Sequence, residues 1–139
     1  MVVCHDAVMR SHHVSRVIAA SPESVYEFAR DVGNLPRWAA GLARTEVVRD
    51  GDALLVESPM GRVKVRFVER NTLGVLDHDV TLPSGTVVTN PVRVLAHPEG
   101  AEVVFTVRQI ELDDEEFARD VATVAADLER LEREVVARA

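Results

Sequence analysis

The chain has 139 residues, 47% hydrophobic and 28% charged, which suits one globular core and excludes a disordered chain. Its net charge of −7, with Lys and Arg scattered, gives no general attraction for nucleic-acid backbones or anionic lipid surfaces, and no apolar run is long enough to span a bilayer. One cysteine, Cys4, leaves no internal disulfide, and the start "MVVCHDAVMRSHH" lacks the basic and apolar regions of a secretory signal, so the expectation is a cytoplasmic protein with no nucleic-acid partner and no membrane insertion.

Residues 1–10 read as a flexible N-terminal tail. "HHVSRVIAA" is rich in β-branched residues and reads as a first strand. "SPESVYEFARDV" is a helix start: Ser21 caps, Pro22 sits at the first helical position and Glu23 complements the dipole. Val25, Phe28, Ala29 and Val32 recur at helical spacing as one buried stripe, and Gly33 with Asn34 ends it. "LPRWAAGL" predicts a second short helix carrying the single tryptophan, Trp38.

From residue 43 to 110 the period becomes two. Six strands are expected: "RTEVVRD" and "ALLVES" joined by the turn "DGD", then "RVKVRFVER", "GVLDHDVTLPSG", "TVVTNPVRVLA" and "AEVVFTVRQI". Their short connections argue for an antiparallel meander. The last element, "DDEEFARDVATVAADLERLEREVVAR", is a helix capped by Asp113 or Asp114, with Phe117, Val121, Val124, Leu128, Leu131 and Val135 on one stripe. That stripe is expected to cover the sheet; a homodimer through a free coiled-coil helix is the alternative.

"GVLDHDVTLPSG" raises a question of chemistry, because His78 stands between Asp77 and Asp79. Strand alternation separates them: Leu76, His78, Val80 and Leu82 share the inward face, and Val75, Asp77, Asp79 and Thr81 the outward one. The same reading turns Val63, Val65 and Phe67 inward, with Val88, Asn90, Val92 and Val94, and with Val103, Phe105 and Val107. Lys64, Arg66, Asp77, Asp79 and Arg93 then make an outer ladder of cross-strand ion pairs. The two aspartates, roughly 7 Å apart at i, i+2, also have the spacing of an inverting glycosidase pair, but flanking cations favour the ladder. Inward, His78 and Asn90 are polar groups on adjacent strands. They either satisfy one another or line a cavity and orient a ligand.

With this element order the chain resembles the START-like, helix-grip superfamily, also called SRPBCC, and within it the polyketide cyclase/dehydrase and lipid-transport family. The resemblance lies in "SRVIAASPESVYEFARDVGNLPRW", "GVLDHDVTLPSGTVVTNPVRVLAHPEGAEVVFTVRQ" and "DDEEFARDVATVAADLERLEREV". It implies an α+β helix-grip fold: an antiparallel sheet of about seven strands wrapped around a long C-terminal helix, with two short helices between strands 1 and 2. It further implies a single START-like ligand-binding domain over residues 11–139. The cavity between sheet and helix would take a hydrophobic or amphipathic molecule of lipid, polyketide or quinone type. The expected ligand-binding residues are Trp38, Phe67, Leu76, His78, Val80, Asn90, Val92, Phe105, Phe117, Val121 and Val124. The mouth would be framed by the loops "SPMG" and "LPSG", whose Gly61 and Gly85 let them move, by the Trp38 helix and by the start of the last helix.

Three functions compete at this level: a carrier or sensor of a hydrophobic ligand, a cyclase or dehydratase with His78 as acid or base and Asn90 steadying an enolate, and an interaction module with a collapsed cavity. Only one inward ionisable group is apparent, which weighs against the enzyme. Arg37 and Arg62 read as solvated charges, with attraction of an acidic head group as the alternative. No cofactor motif is present. Cys4, His5, Asp6, His12 and His13 match no zinc spacing, so no metal is expected.

Overall fold

The computed structural model describes residues 9–40, 42–43, 47–58 and 61–138. Most of the expected tail and parts of the "RTEVVRD" and "SPMG" segments lie outside them. The elements run β1 (Ser11–Ile18), α1 (Pro22–Arg30), a 3-10 turn at Val32–Asn34, α2 (Leu35–Trp38), β2 (Val48–Asp50), β3 (Ala53–Ser58), β4 (Gly61–Phe67), β5 (His78–Thr81), β6 (Val87–Asn90), β7 (Val92–His97), β8 (Gly100–Arg108) and α3 (Asp114–Ala137). All described strand pairs are antiparallel, in sheets of order β1-β8-β7 and β2-β3-β4-β5-β6.

The helices start where their caps dictate. The Ser24 amide donates to Ser21 Oγ at 3.1 Å, with Pro22 behind it in the first turn. The helix stops at Arg30, earlier than Gly33 suggests, because the Asp31 carboxylate accepts from the Gly33 amide at 3.0 Å and starts the 3-10 turn instead. At α3, Asp113 and Glu116 form a reciprocal capping box, with bonds of 2.7 and 2.9 Å.

The sheet has one more strand than the sequence suggests, and Pro91 is the reason. Lacking an N–H, it cannot continue a ladder, so "TVVTNPVRVLA" becomes two strands in different sheets. "GVLDHDVTLPSG" divides at the same level. His78–Thr81 pairs with β4 and β6, whereas Gly74–Leu76 bonds to β7, with Leu76 N donating to Val92 O and Val94 N to Gly74 O, each at 2.8 Å. Because one residue separates β6 from β7, the inward parity survives the bend: Val92 and Val94 are buried, and Arg93 is exposed.

Helix α3 lies against β1, β8 and α2, and Leu128 and Leu131 are fully buried. Each such leucine contributes about 1.5–3 kcal/mol of burial, so the apolar stripe is used on the sheet. Leu35, Trp38, Val56, Val63, Val65, Val80, Val92 and Val103 complete the main core. Thr106 departs from the face pattern. It is buried on β8, the middle strand of its sheet, and its Oγ1 lies 2.8 Å from His13 Nδ1 across to β1.

Gly74 holds the seam. Its φ is +73°, and an added Cβ would stand 2.2 Å from the Val94 carbonyl oxygen. Gly74→Ala should therefore cost at least about 2 kcal/mol, read as a lower urea midpoint at unchanged m-value. An unchanged midpoint would mean that the seam is not this tight.

Candidate functional site

Between the five-stranded sheet, α2 and α3 lies a cavity of about 690 Å³. Its deep part is built by Leu35 and Trp38 from α2, Phe67 from β4, His78 and Val80 from β5, Val88 and Asn90 from β6, Phe105 and Val107 from β8, and Val124 from α3. Its mouth lies at the β5–β6 loop, the β8–α3 loop and the first turns of α3, where Pro83, Ser84, Glu111, Glu116 and Arg119 are exposed.

His78 is buried at the centre of an aromatic end. In register it faces Phe67 on one side and Asn90 on the other. Its ring centroid is 4.8 Å from that of Phe67, and 5.9 Å from that of Phe105 in an edge-on arrangement. Nδ1 is 3.2 Å from the Leu76 carbonyl, which can only accept, so Nδ1 carries the proton. Nε2 is then the acceptor and lies 3.4 Å from Asn90 Nδ2. Burial holds the His78 pKa below the ordinary histidine value; the Leu76 carbonyl and the charges of Asp77 and Asp79 pull it upward without prevailing. The imidazole is thus a neutral group of fixed tautomer.

The flanking aspartates point away from the cavity. Asp77 accepts from Nε and Nη2 of Arg93, each at 2.9 Å, and from the Val92 amide at 2.9 Å. These bonds, that from the Arg93 guanidinium foremost, hold its carboxyl below the usual carboxylate range. Asp79 accepts from Thr89 Oγ1 at 2.6 Å. The ladder is thus only partly cross-strand: Lys64 pairs with Asp50 at 3.6 Å and Arg66 with Asp52 at 3.2 Å, both at the β2–β3 hairpin.

Seven of the eleven residues expected to bind ligand line this cavity: Trp38, Phe67, His78, Val80, Asn90, Phe105 and Val124. The other four do not. Leu76 lines a separate, more polar cleft of about 430 Å³ on the far side of Phe67. Val92 is buried in the main core, because β7 leaves the five-stranded sheet at Pro91 to pair with β8 and meets α1. Phe117 and Val121 face β8 within a small cluster around Val107 and Val124, and the Arg10 guanidinium lies 5.1 Å above the Phe117 ring. Trp38 is both core and cavity wall, and its Nε1 is buried with no acceptor among the described residues. Arg62 pairs with Glu57 at 3.1 Å, and neither it nor Arg37 lines the cavity.

Sequence reasoning missed a second stripe of α3. Glu116, Asp120, Thr123 and Asp127 follow at steps of four, three and four, and all four line the cavity beside the apolar stripe. Glu116 serves in the capping box, and Asp127 is held by Arg130. Asp120 is half-buried, and burial alone raises its pKa. The helix wall of the cavity therefore carries a titratable group whose ionisation burial disfavours, on a different element from His78. The signal was present as helical spacing, but polar residues on a helix read as a solvated face unless a cavity lies against them.

The model of one protein family, polyketide cyclase/dehydrase and lipid transport, matches residues 9–136. The chain belongs to that family. No curated protein matches this family member significantly. Its fold is that of XoxI from Bacillus cereus (17% identity, TM-score 0.71, covering 92% of this chain and 96% of that one). It is likewise similar to the protein TTHA0849 of Thermus thermophilus (23% identity, TM-score 0.62, 94% and 99%). DynU16, described as a putative protein in the dynemicin biosynthetic locus, matches 88% of this chain over 46% of its own length, at 15% identity and TM-score 0.68. These structures share with this family member the α+β arrangement of sheet and long C-terminal helix.

The buried His78 gives a sign to test. Unfolded, it titrates near about 6.5; folded, it stays neutral to lower pH. Between those values the unfolded state binds the extra proton, so wild-type stability falls as pH drops through that window. His78→Gln should remove this slope, so wild type should lose urea midpoint relative to the variant between about pH 7 and 5. A constant difference would show an imidazole with ordinary solvation.

Proposed function

We propose that this protein binds a hydrophobic or amphipathic small molecule, of lipid, polyketide or quinone type, in the cavity between sheet and α3. The supporting observation is a space of about 690 Å³, within the usual range for ligand sites, whose apolar end contains one polar pair, His78 and Asn90. Trp38, Phe67, Val80, Phe105 and Val124 would hold the apolar body. Asn90 would turn its second amide proton and its carbonyl to one polar group of the ligand. A cavity of this volume weighs against the collapsed interaction module. We place the protein in the cytoplasm, supported by its single cysteine, which fits a reducing compartment.

The enzyme reading gains support from Asp120. A dehydration needs a base that is neutral and an acid that keeps its proton, and burial moves His78 and Asp120 in those two directions. In this reading His78 Nε2 takes the proton next to a carbonyl while the Asp120 carboxyl protonates the departing hydroxyl, which leaves as water.

Native mass spectrometry of the freshly purified protein should show an excess mass that disappears on denaturation. Anilinonaphthalene sulfonate should bind saturably, and Val88→Trp, which fills the cavity from a half-buried position, should abolish that binding while the far-UV spectrum is unchanged. Asn90→Leu should weaken it by about tenfold, as expected for one lost buried hydrogen bond. Absence of both the excess mass and saturable probe binding would overturn the proposal. Loss of turnover of a β-hydroxy carbonyl compound in Asp120→Asn, with probe affinity retained, would select the enzyme.

A further inference from the structure

Glu111 is the one described non-glycine residue with a positive φ, at +58°. A left-handed glutamate persists only where its surroundings hold it, and here its carboxylate supplies the reason. One oxygen accepts from Ser84 Oγ at 3.3 Å and the other from Thr86 Oγ1. Both hydroxyls belong to the β5–β6 hairpin, 25 and more residues away in sequence. Leu82, Pro83 and Ser84 from that hairpin, and Ile110, Glu111 and Leu112 from the β8–α3 loop, all line the cavity. Glu111 therefore ties together two loops that form the same mouth.

The two sides of this tie are unequal. The β8–α3 loop is fixed to its base: the Gln109 amide donates to Arg10 O at 3.0 Å, Gln109 Nε2 donates to Leu112 O and Asp114 Oδ1, and Arg10 pairs with Asp114 at 3.0 Å. The hairpin tip is held by its own two backbone bonds, Leu82 N to Thr86 O and Gly85 N to Leu82 O, each at 2.9 Å. Its Pro83, Ser84 and Gly85 are exposed, and Gly85 has a φ of +92°. The hairpin tip is thus the less anchored side, and Glu111 stands on the better-anchored one. Short solvent-facing segments held by few bonds are those that open locally on their own.

We propose that Glu111 with Ser84 and Thr86 forms a clasp that holds the β5–β6 hairpin across the cavity mouth and sets the rate at which ligand enters and leaves. This rests on the ligand-binding reading above. The clasp acts on rates: loss of either half should speed association and dissociation together and leave the equilibrium affinity of a ligand that does not touch the catch nearly unchanged.

The experiment uses the full chain, three variants and the combination of the first two. Glu111→Gly removes the carboxylate and tolerates the backbone angle; Ser84→Ala/Thr86→Val breaks the same bonds from the other side; Glu69→Gln, at an exposed acid outside both clefts, is the control. Backbone hydrogen exchange at Leu82 and Gly85 needs no ligand, and stopped-flow mixing with anilinonaphthalene sulfonate reads both rates. Both clasp variants should exchange these amides faster and release the probe about fivefold faster, with no further gain when all three substitutions are combined. Unchanged amide exchange would overturn the clasp whatever the probe does. Faster exchange with unchanged probe rates would overturn its gating role. Failure of the wild type to bind the probe at all would instead sink the binding reading, and the gate with it.

Discussion

The carboxylate of Asp77 is the joint on which the cavity depends. At this level the segment 74–81 passes from one sheet to the other, and at Pro91 the chain from β6 to β7 does the same in the opposite direction. The Val92 amide follows the proline and must find an acceptor once the bend has taken it from a regular ladder. Asp77 supplies one and grips the neighbouring Arg93 guanidinium with both oxygens. The adjoining residues are thereby fixed as well: His78 turns inward one step after Asp77, and Asn90 is set opposite it just before the proline. The sign of the Asp77 shift fits this role. Its folded pKa lies below the unfolded one, so its contribution is present above the unfolded value and is lost only as pH falls through the folded value.

The second constraint is that α3 faces two surfaces. Its apolar stripe meets β1 and β8 and is used there, with Leu128 and Leu131 fully buried. The neighbouring stripe, Glu116, Asp120, Thr123 and Asp127, turns towards the strands of the other sheet across a gap that these side chains do not fill. A helix with one apolar face can be gripped by one sheet; the second sheet then stands off, and the space between becomes the cavity. The polarity of the second stripe works against closing that space, because apposing the Asp120 carboxyl to Val80 and Phe67 would set a carboxylate against apolar walls.

Local patterns made most of the elements legible. The cap Ser21, a cap of α3 at Asp113 or Asp114, the inward parity of His78 and Asn90 and the stripe of α3 follow from spacing alone, because each depends on neighbours a few residues away. Bends and sheet membership do not. The proline in "TVVTNPVRVLA" was visible, but whether the chain turns into a second sheet there depends on Asp77, fourteen residues earlier. The same ignorance placed Leu76 and Val92 beside the cavity, since parity gives the face of a strand but not which part of a curved sheet that face meets. Phe117 and Val121 lie outside the cavity lining for the complementary reason: helical spacing marks what is buried, and a buried stripe marks the packed side of the helix more often than its open side. Glu111 carried no signal at all, because a left-handed glutamate in a loop is defined only by what its carboxylate reaches.

Burial acts on His78 and Asp120 in a way that bears on binding and on catalysis. Unperturbed, the histidine would titrate above the aspartate, and near neutral pH the pair would include a charged carboxylate and a partly charged ring. Desolvation lowers the one and raises the other, so both move towards their uncharged forms. Such a shift suits an amphipathic ligand with a single polar group, since it lessens the hydrated charge that His78 and Asp120 would give up when water is displaced. Proton transfer between the walls would ask for a free lone pair at His78 and a carboxyl proton at Asp120, the directions in which burial moves the two groups. Turnover adds a demand that binding does not: one ligand must reach from the sheet wall, where Asn90 steadies Nε2, to the helix wall at Asp120. On the enzyme proposal a substrate would be a molecule long enough to span the cavity; on the binding proposal a ligand that fills only the aromatic end around Phe67 and Phe105 would be held and released unchanged.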